Sequence, residues 1–324
     1  MKVKTTFHTH AAILFILTLL CVQAAHAAGT GRIFITNEKA NTVSVIDGGT
    51  NTVEATIEIG GRPRGIGISP DGSEVYVALS NDNAIAVFDP KTLEITRTFA
   101  AGDDPETFAV HPNGNIYISN EDDAKATVIN PTTGEIVAEI KVGLEPEGVA
   151  ISPDGKKVII TSESANMLHV IDVPEHKISA NILVGARPRA ATFNKAGTVA
   201  YATSEISGEV KKIDIESGKI IGKMPLGDDK AKPKDVLLSL DESKLFVAGG
   251  RANAIFVLDS TSLEILATVP VGKRTWGLAL TNDGKLLYTT DGVSNQVSVI
   301  DTENYKVVAT VPVGKFPWGV AIDH

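Results

Sequence analysis

The sequence predicts an all-β protein, a seven-bladed β-propeller with four-stranded blades, and three observations predict it. They are a strict internal period, four short strand-like runs within each period, and chain ends that complement each other. The closing residue of a "VID"-type run recurs as Asp47, Asp89, Asn130, Asp172, Asp214, Asp259 and Asp301. A glycine ahead of a proline slot recurs as Gly60, Gly102, Gly143, Gly185, Gly227, Gly272 and Gly314. Both series advance by 42, 41, 42, 42, 45 and 42 residues, so two landmarks fix one repeat of propeller-blade length.

Within a unit, "RGIGIS", "EVYVALS", "NAIAVFD" and "EITRTF" are β-branched runs divided by turn signals, hence four strands. The first run is joined to the second by "SPDG" at 69–72 and 152–155, "HPNG" at 111–114 and "TNDG" at 281–284, tight turns in which glycine takes positive φ. That first strand carries small residues (Gly65 and Gly67, Gly148 and Ala150, Ala190 and Ala191), as expected of the innermost strand, where blades converge. The second run ends in Glu38, Asn81, Glu121, Glu163, Glu205, Gly250 or Asp291. The acids among these are read as solvated loop carboxylates rather than a cation site, which needs about six close oxygens. Before the third run comes Asn41, Asn83, Asn166, Asn253 or Asn295, replaced by Ala124 and Gly208, a pattern of left-handed turn residues. The chain opens with three strands only, "GRIFITN", "NTVSVID" and "TVEATI", and closes with a lone first strand, "WGVAID". Together they complete a seventh blade, with the C-terminal strand innermost, and remove exposed sheet edges.

The segment before the repeats starts with Lys2 and Lys4, continues as "AAILFILTLLCVQAA" and reaches Ala25-His26-Ala27, the pattern of a secretory signal peptide cleaved after Ala27. The domain reading is therefore 1–27 signal peptide and 28–324 propeller, with a periplasmic location. Cleavage removes Cys21, the one cysteine, so no disulfide is expected in the mature chain. The whole chain has 30 basic and 39 acidic residues, net −9; without Lys2 and Lys4 the balance is −11. Such a charge disfavours general nucleic-acid binding, which needs a cationic surplus.

The stretches "GVAISPDGKKVIITSESANMLHVID" and "NTVSVID…TVEATI" resemble the YVTN-type β-propeller repeat, over essentially the whole mature chain. Among such proteins the chain is most similar to the small periplasmic propellers associated with PQQ-dependent alcohol catabolism. That resemblance implies an accessory role beside a quinoprotein alcohol-oxidation system. Some relatives bind nucleic acid.

Function on a propeller is expected where variable loops meet at a channel mouth. The residue after the proline slot is Arg64, Glu106, Glu147, Arg189, Lys234, Trp276 and Trp318 in order, a predicted ring around the axis. Outside it fall Arg62, Asp104, Glu145, Arg187, Lys232, Arg274 and Phe316, so charge sign changes in blocks of blades. One reading is that Arg64 with Glu106 and Glu147 with Arg189 pin neighbouring blades, as surface pairs contributing about 0–1 kcal/mol each. The other is a binding mouth, because both tryptophans occupy this slot, and exposed Trp with Arg anchors partners or planar ligands. A packed plug is the competitor for the tryptophans. The insertion "GDDKAKPKD", 227–235, enlarges a loop on this face.

Catalytic signatures are absent from the sequence. His111, His169, His176 and His324 show no metal-ligand spacing, and there is no "CxxCH" and no nucleophile elbow. No cofactor, metal site or catalytic residue is assigned. The reading is a monomeric, non-catalytic periplasmic propeller that binds a protein partner or small ligand at the mouth, with no membrane role. Two alternatives are a lactonase-like hydrolase using Glu106 and Glu147 and a nucleic-acid-binding propeller.

Overall fold

The computed structural model describes residues 1, 29–227 and 229–324. The segment read above as a signal peptide, 1–27, lies outside the described residues except for Met1. The described chain folds into seven four-stranded antiparallel sheets, and it contains no α-helix, only three single-turn 3-10 segments such as Ser80–Asp82. The sheets are the predicted blades. Blade I joins strands β1 (Arg32–Asn37), β2 (Thr42–Asp47) and β3 (Thr52–Glu58) to the last strand, β28 (Pro317–Ile322). Blades II to VII follow as 63–100, 105–141, 146–183, 188–225, 236–270 and 275–312.

Closure occurs as the ends predict. Ile33, Phe34 and Ile35 pair with Ile322, Ala321 and Val320. Asp323 then takes 2.7 Å hydrogen bonds from the Thr30 amide and hydroxyl, so the seam is locked by side chain as well as by ladder.

The apolar core is divided among the seven blade interfaces. Between blades I and II, for example, Phe34, Val45, Val77 and Phe88 pack together, with the Phe34 and Phe88 rings edge to face at 5.2 Å. Each further interface has its own cluster, down to Tyr288, Val297, Ile33 and Ile46 between VII and I. Second and third strands are therefore buried on both faces, while outermost strands alternate exposed and covered positions. The channel is left to the first strands, which have to be thin. A Cβ on Gly148 would lie 2.2 Å from the Arg189 carbonyl oxygen of the next blade, and one on Gly319 would lie 2.5 Å from that of Arg64.

The far-face turns are locally self-sufficient. Asp71 accepts hydrogen bonds from the Ser69 and Ser73 hydroxyls and the Ser73 amide, which together hold its carboxyl down at about 2. His111, in the equivalent turn, accepts from the Asn113 amide at its Nδ1, and its Nε2 lies 2.7 Å from the Gly155 carbonyl. It is a turn residue.

Candidate functional site

The opposite face is built from the proline slots and the loops after each second strand. Asn41, Asn83, Asn166, Asn253 and Asn295 are left-handed, with φ between 54° and 59°, as are Ala124 and Gly208. Their amides do a second job that the sequence did not disclose. Each Oδ1 accepts the backbone N–H of the slot residue in the next blade, Arg62, Asp104, Arg187, Arg274 and Phe316, at 2.9–3.1 Å. Those slot residues are themselves at positive φ. The amide bond stabilises a backbone conformation that L-residues otherwise resist.

A hydroxyl on the second strand fixes the ring residue itself. Thr36 donates to the Arg64 carbonyl at 2.7 Å and accepts the Gly319 amide of its own blade at 2.8 Å. Ser119, Thr161, Thr203 and Thr290 likewise donate to the carbonyls of Glu147, Arg189, Lys234 and Trp318. These five residues went unnoticed in the sequence. The signal was there, since each stands eleven positions before the closing "VID" residue, and Ala78 and Ala248 occupy the other two blades.

The ring charges are paired, and the pairs are not surface pairs. Glu106 has no solvent exposure, and Glu147 and Arg189 are also buried. Arg64 contacts Glu106 and lies 3.1 Å from Glu38, and Arg62 spans Glu38, Asp104 at 2.8 Å and Glu106. Arg189 reaches Glu147 at 2.5 Å and contacts Glu163, while Arg187 lies 2.6 Å from Glu163 and Lys234 2.7 Å from Glu205. Glu163 and Glu205, expected as solvated loop acids, are thus buried counter-ions. Asp291 is buried too, accepting from the Gly272 amide and the Ser298 hydroxyl, and its desolvated carboxyl is pushed up to about 6. The reason is position: Glu163 and Glu205 meet cations of the neighbouring blade, whereas Asp291 turns to Gly272, Gln296 and Ser298 at its own blade. Exposed Glu145 turns instead to Ser164, and Lys232 to the Ile206 carbonyl.

The tryptophans also differ from the expected exposed anchors. Trp276 is 8% exposed and stacks on Trp318, with centroids 5.9 Å apart and planes 28° apart. Lys234 sits 4.3 Å and Arg274 5.0 Å from the Trp276 ring centre, and Arg64 stands over Trp318 at 5.4 Å. Phe316, at the rim, carries Lys39 over its ring.

Above this floor is a cavity of about 230 Å³ whose wall includes Arg64, Glu121, Arg187, Lys234, Arg251 and Arg274. A second chamber of about 140 Å³ lies deeper, bounded by Thr107, Val149, Ala191, Asp235 and both tryptophans. Trp276, Glu147, Arg189 and Lys234 border both. Burial and the nearby Arg189 outweigh Glu205 and Glu147 to bring the Lys234 amine down to about 7. Burial opposes ionisation of Glu205, but Lys234, Arg189 and Arg187 together still draw its carboxyl below the usual range. Asp235 accepts the Val236 and Leu278 amides, yet desolvation lifts it to about 6.

The pairing is incomplete. Among the described residues, Arg251 and Arg274 form no ion pair, and the Arg274 Nε and both indole N–H groups are buried without an acceptor. Across the mouth, the Glu121 side chain has neither ion pair nor hydrogen bond among the described residues, and burial with Glu147 and Asp104 nearby pushes its carboxyl up. One oxygen each of Asp104, Glu106 and Glu121 lie within 4.8 Å of one another, but the first two already hold Arg62 and Arg64.

A family model described as a YNCE-like beta-propeller matches residues 15–127, and one for the choice-of-anchor I domain matches residues 106–310, nearly two thirds of the chain. The chain belongs to the choice-of-anchor I domain family. No curated protein matches this family member. Solved structures agree on the fold. A chain of the Kuenenia stuttgartiensis hydrazine synthase superposes with a TM-score of 0.77 at 20% identity, covering 87% of this chain and 99% of that one. A functionally unknown protein from Desulfotomaculum acetoxidans gives 0.79 at 16%, covering 91% and 99%. A candidate 6-phosphogluconolactonase from Bacteroides uniformis gives 0.74 at 21%, covering 90% and 98%.

Proposed function

We propose that this choice-of-anchor I domain protein is a non-catalytic binding propeller whose mouth takes a small charged ligand or the charged end of a protein partner. One observation carries the reading. Arg251 and Arg274 border a 230 Å³ cavity without a carboxylate partner, and the Arg274 Nε is buried without an acceptor. A buried donor left unpaired costs about 1–3 kcal/mol, which an acceptor on a ligand regains. Both tryptophans of the chain are at this mouth, so selectively excited tryptophan fluorescence reports on it alone. Titration with small carboxylates and phosphates should shift the emission saturably, and Arg274→Met should weaken the response. A response indifferent to Arg274→Met would remove the reading.

The cellular setting is part of the same proposal. Lys2, Lys4, the apolar run and Ala25-His26-Ala27 support export to the periplasm with cleavage after Ala27. Sequencing the N-terminus of protein from a periplasmic extract tests this, and Ala28 is the expected first residue. The repeat resemblance supports a place beside PQQ-dependent alcohol oxidation. A pull-down from alcohol-grown cells, comparing wild type with Trp276→Ala/Trp318→Ala, tests that placement.

A catalytic reading has its own support, at residues other than Glu106 and Glu147, whose carboxylates are occupied by arginines. Lys234, at about 7, and Asp235, at about 6, border the same inner chamber with values suited to proton transfer near neutrality. Hydrolysis of a lactone that disappears in both Lys234→Met and Asp235→Asn would favour it.

A further inference from the structure

The mouth is electrically divided. On the side of blades I to III, Glu38, Asp104, Glu106 and Glu121 face two arginines, Arg62 and Arg64, a local balance of −2. On the side of blades IV to VII, Arg187, Arg189, Lys234, Arg251 and Arg274 face Glu147, Glu163 and Glu205, a local balance of +2 with Lys234 protonated and +1 without. The unpaired groups are distributed in the same sense, Glu121 on the first side and Arg251 with Arg274 on the second. All three border one cavity.

Neither excess is a passive surface feature. Burial is the main influence on both groups: Glu121 has Glu147 and Asp104 nearby as well as Arg64 and Arg62, and Arg274 has Arg251 and Arg189 nearby as well as Glu205 and Glu38, yet neither side chain has an ion-pair partner among the described residues. An anion alone would answer the second side and aggravate the first. A cation alone would do the reverse. We propose that the ligand is a zwitterion, a small molecule with a carboxylate or other anionic group between Arg251 and Arg274 and an ammonium group at Glu121. The inference rests on the mouth being a ligand site and names the chemical class that site recognises.

The cavity agrees in scale. At about 230 Å³ it holds roughly eight waters, at the ~30 Å³ each takes in the liquid, room for a compact organic ion with both ends engaged. The Trp276 indole borders the cavity but is covered by Arg189, Lys234 and Arg274, so the surface a ligand meets there is almost wholly polar. Charge-assisted hydrogen bonds at both ends supply the affinity.

The experiment uses a homologous series of ω-amino carboxylates, each with its N-acetyl form, which is only an anion, and its amide, which is only a cation. Binding to the mature protein is read by tryptophan emission and by calorimetry. A member of fitting length should bind roughly tenfold or more tighter than either capped form, the factor that one charge-assisted contact supplies. Glu121→Gln should reduce the zwitterion to the affinity of its N-acetyl form while leaving that form unaffected or improved. This variant keeps its fold, because the Glu121 side chain makes no hydrogen bond or ion pair to lose and its amide still donates to the Asp104 carbonyl. Equal binding of zwitterion and N-acetyl form would overturn the zwitterion and leave the mouth as an anion site. Silence from every probe in both readouts would overturn the zwitterion and count against the binding reading as well.

Discussion

Arg189 offers the sharpest test of how the mouth is held. It is 6% exposed and touches Glu147 and Glu163, with Glu205 at 3.7 Å. Replacement by methionine keeps the length and removes the charge. Glu163 then retains Arg187 at 2.6 Å, and Glu205 retains Lys234 at 2.7 Å. Glu147 loses its one ion pair and keeps only the more distant Lys234 charge, so a single buried carboxylate is stranded. A stranded buried charge costs about 3–5 kcal/mol, and loss of the cation from beside the Trp276 ring adds about 1 kcal/mol. The expected loss is therefore about 4–6 kcal/mol, read from urea denaturation followed by tryptophan emission. Glu147→Gln in the same chain removes the stranded charge, so the double variant should recover most of the loss, to within about 2 kcal/mol of wild type. A loss below about 1 kcal/mol, or a double variant no better than Arg189→Met, would refute the claim that this pair is a buried, mutually dependent unit.

Three further outcomes are expected. Gly148→Ala places a Cβ 2.2 Å from the Arg189 carbonyl oxygen, which is backbone and cannot rotate away, and should cost about 3 kcal/mol or more in denaturant melts. Gly292→Ala puts a Cβ 2.8 Å from the Trp276 Nε1, so it should cost about 1–3 kcal/mol and change the emission of the stacked pair; an unchanged spectrum would show the indole free to move. Lys234 is set by burial and Arg189 against Glu205 and Glu147, and its fold-lowered value of about 7 means that the native state releases this proton before the unfolded chain does. Its contribution to stability should therefore rise as pH climbs from about 7 toward 10.5, and Trp276 emission should titrate with a midpoint near 7, both effects vanishing in Lys234→Met.

The repeat, the blade count and the closing strand were legible because each is a matter of spacing, and spacing survives in a single sequence. Asp47 to Asp301 locate seven blades without any knowledge of which side chains meet. The site was legible only as a list of positions. That Glu163 is buried against Arg187 and Arg189, and Glu205 against Lys234, depends on contacts between neighbouring blades, which period and alternation do not encode. That Trp276 and Trp318 stack, rather than project, depends on how closely blades VII and I approach at the axis, where Gly277 lies against the Trp318 carbonyl. The five hydroxyls from Thr36 to Thr290 were hidden for a different reason. Threonine is an ordinary strand residue, so its recurrence reads as β-propensity until the hydrogen bonds are seen.

The block pattern of charge argues that the mouth is more than a fastening. Fastening needs no charge, since blades VII and I meet there through stacked indoles, and buried ion pairs are often no more stabilising than apolar packing of the same volume. A ring built for closure would also alternate sign from blade to blade, so that each group finds a partner on both sides. Here Glu106 and Glu147 are adjacent, as are Arg189 and Lys234, and the signs meet at only two places, Arg64 with Glu106 and Glu147 with Arg189. The second-strand acids compensate most of the resulting excess but leave Glu121 on one side and Arg251 with Arg274 on the other. Residual charge of opposite sign across a concave, partly desolvated cavity gives a stability disadvantage that folding alone does not require. It becomes an advantage once a molecule of complementary charge lies across the mouth.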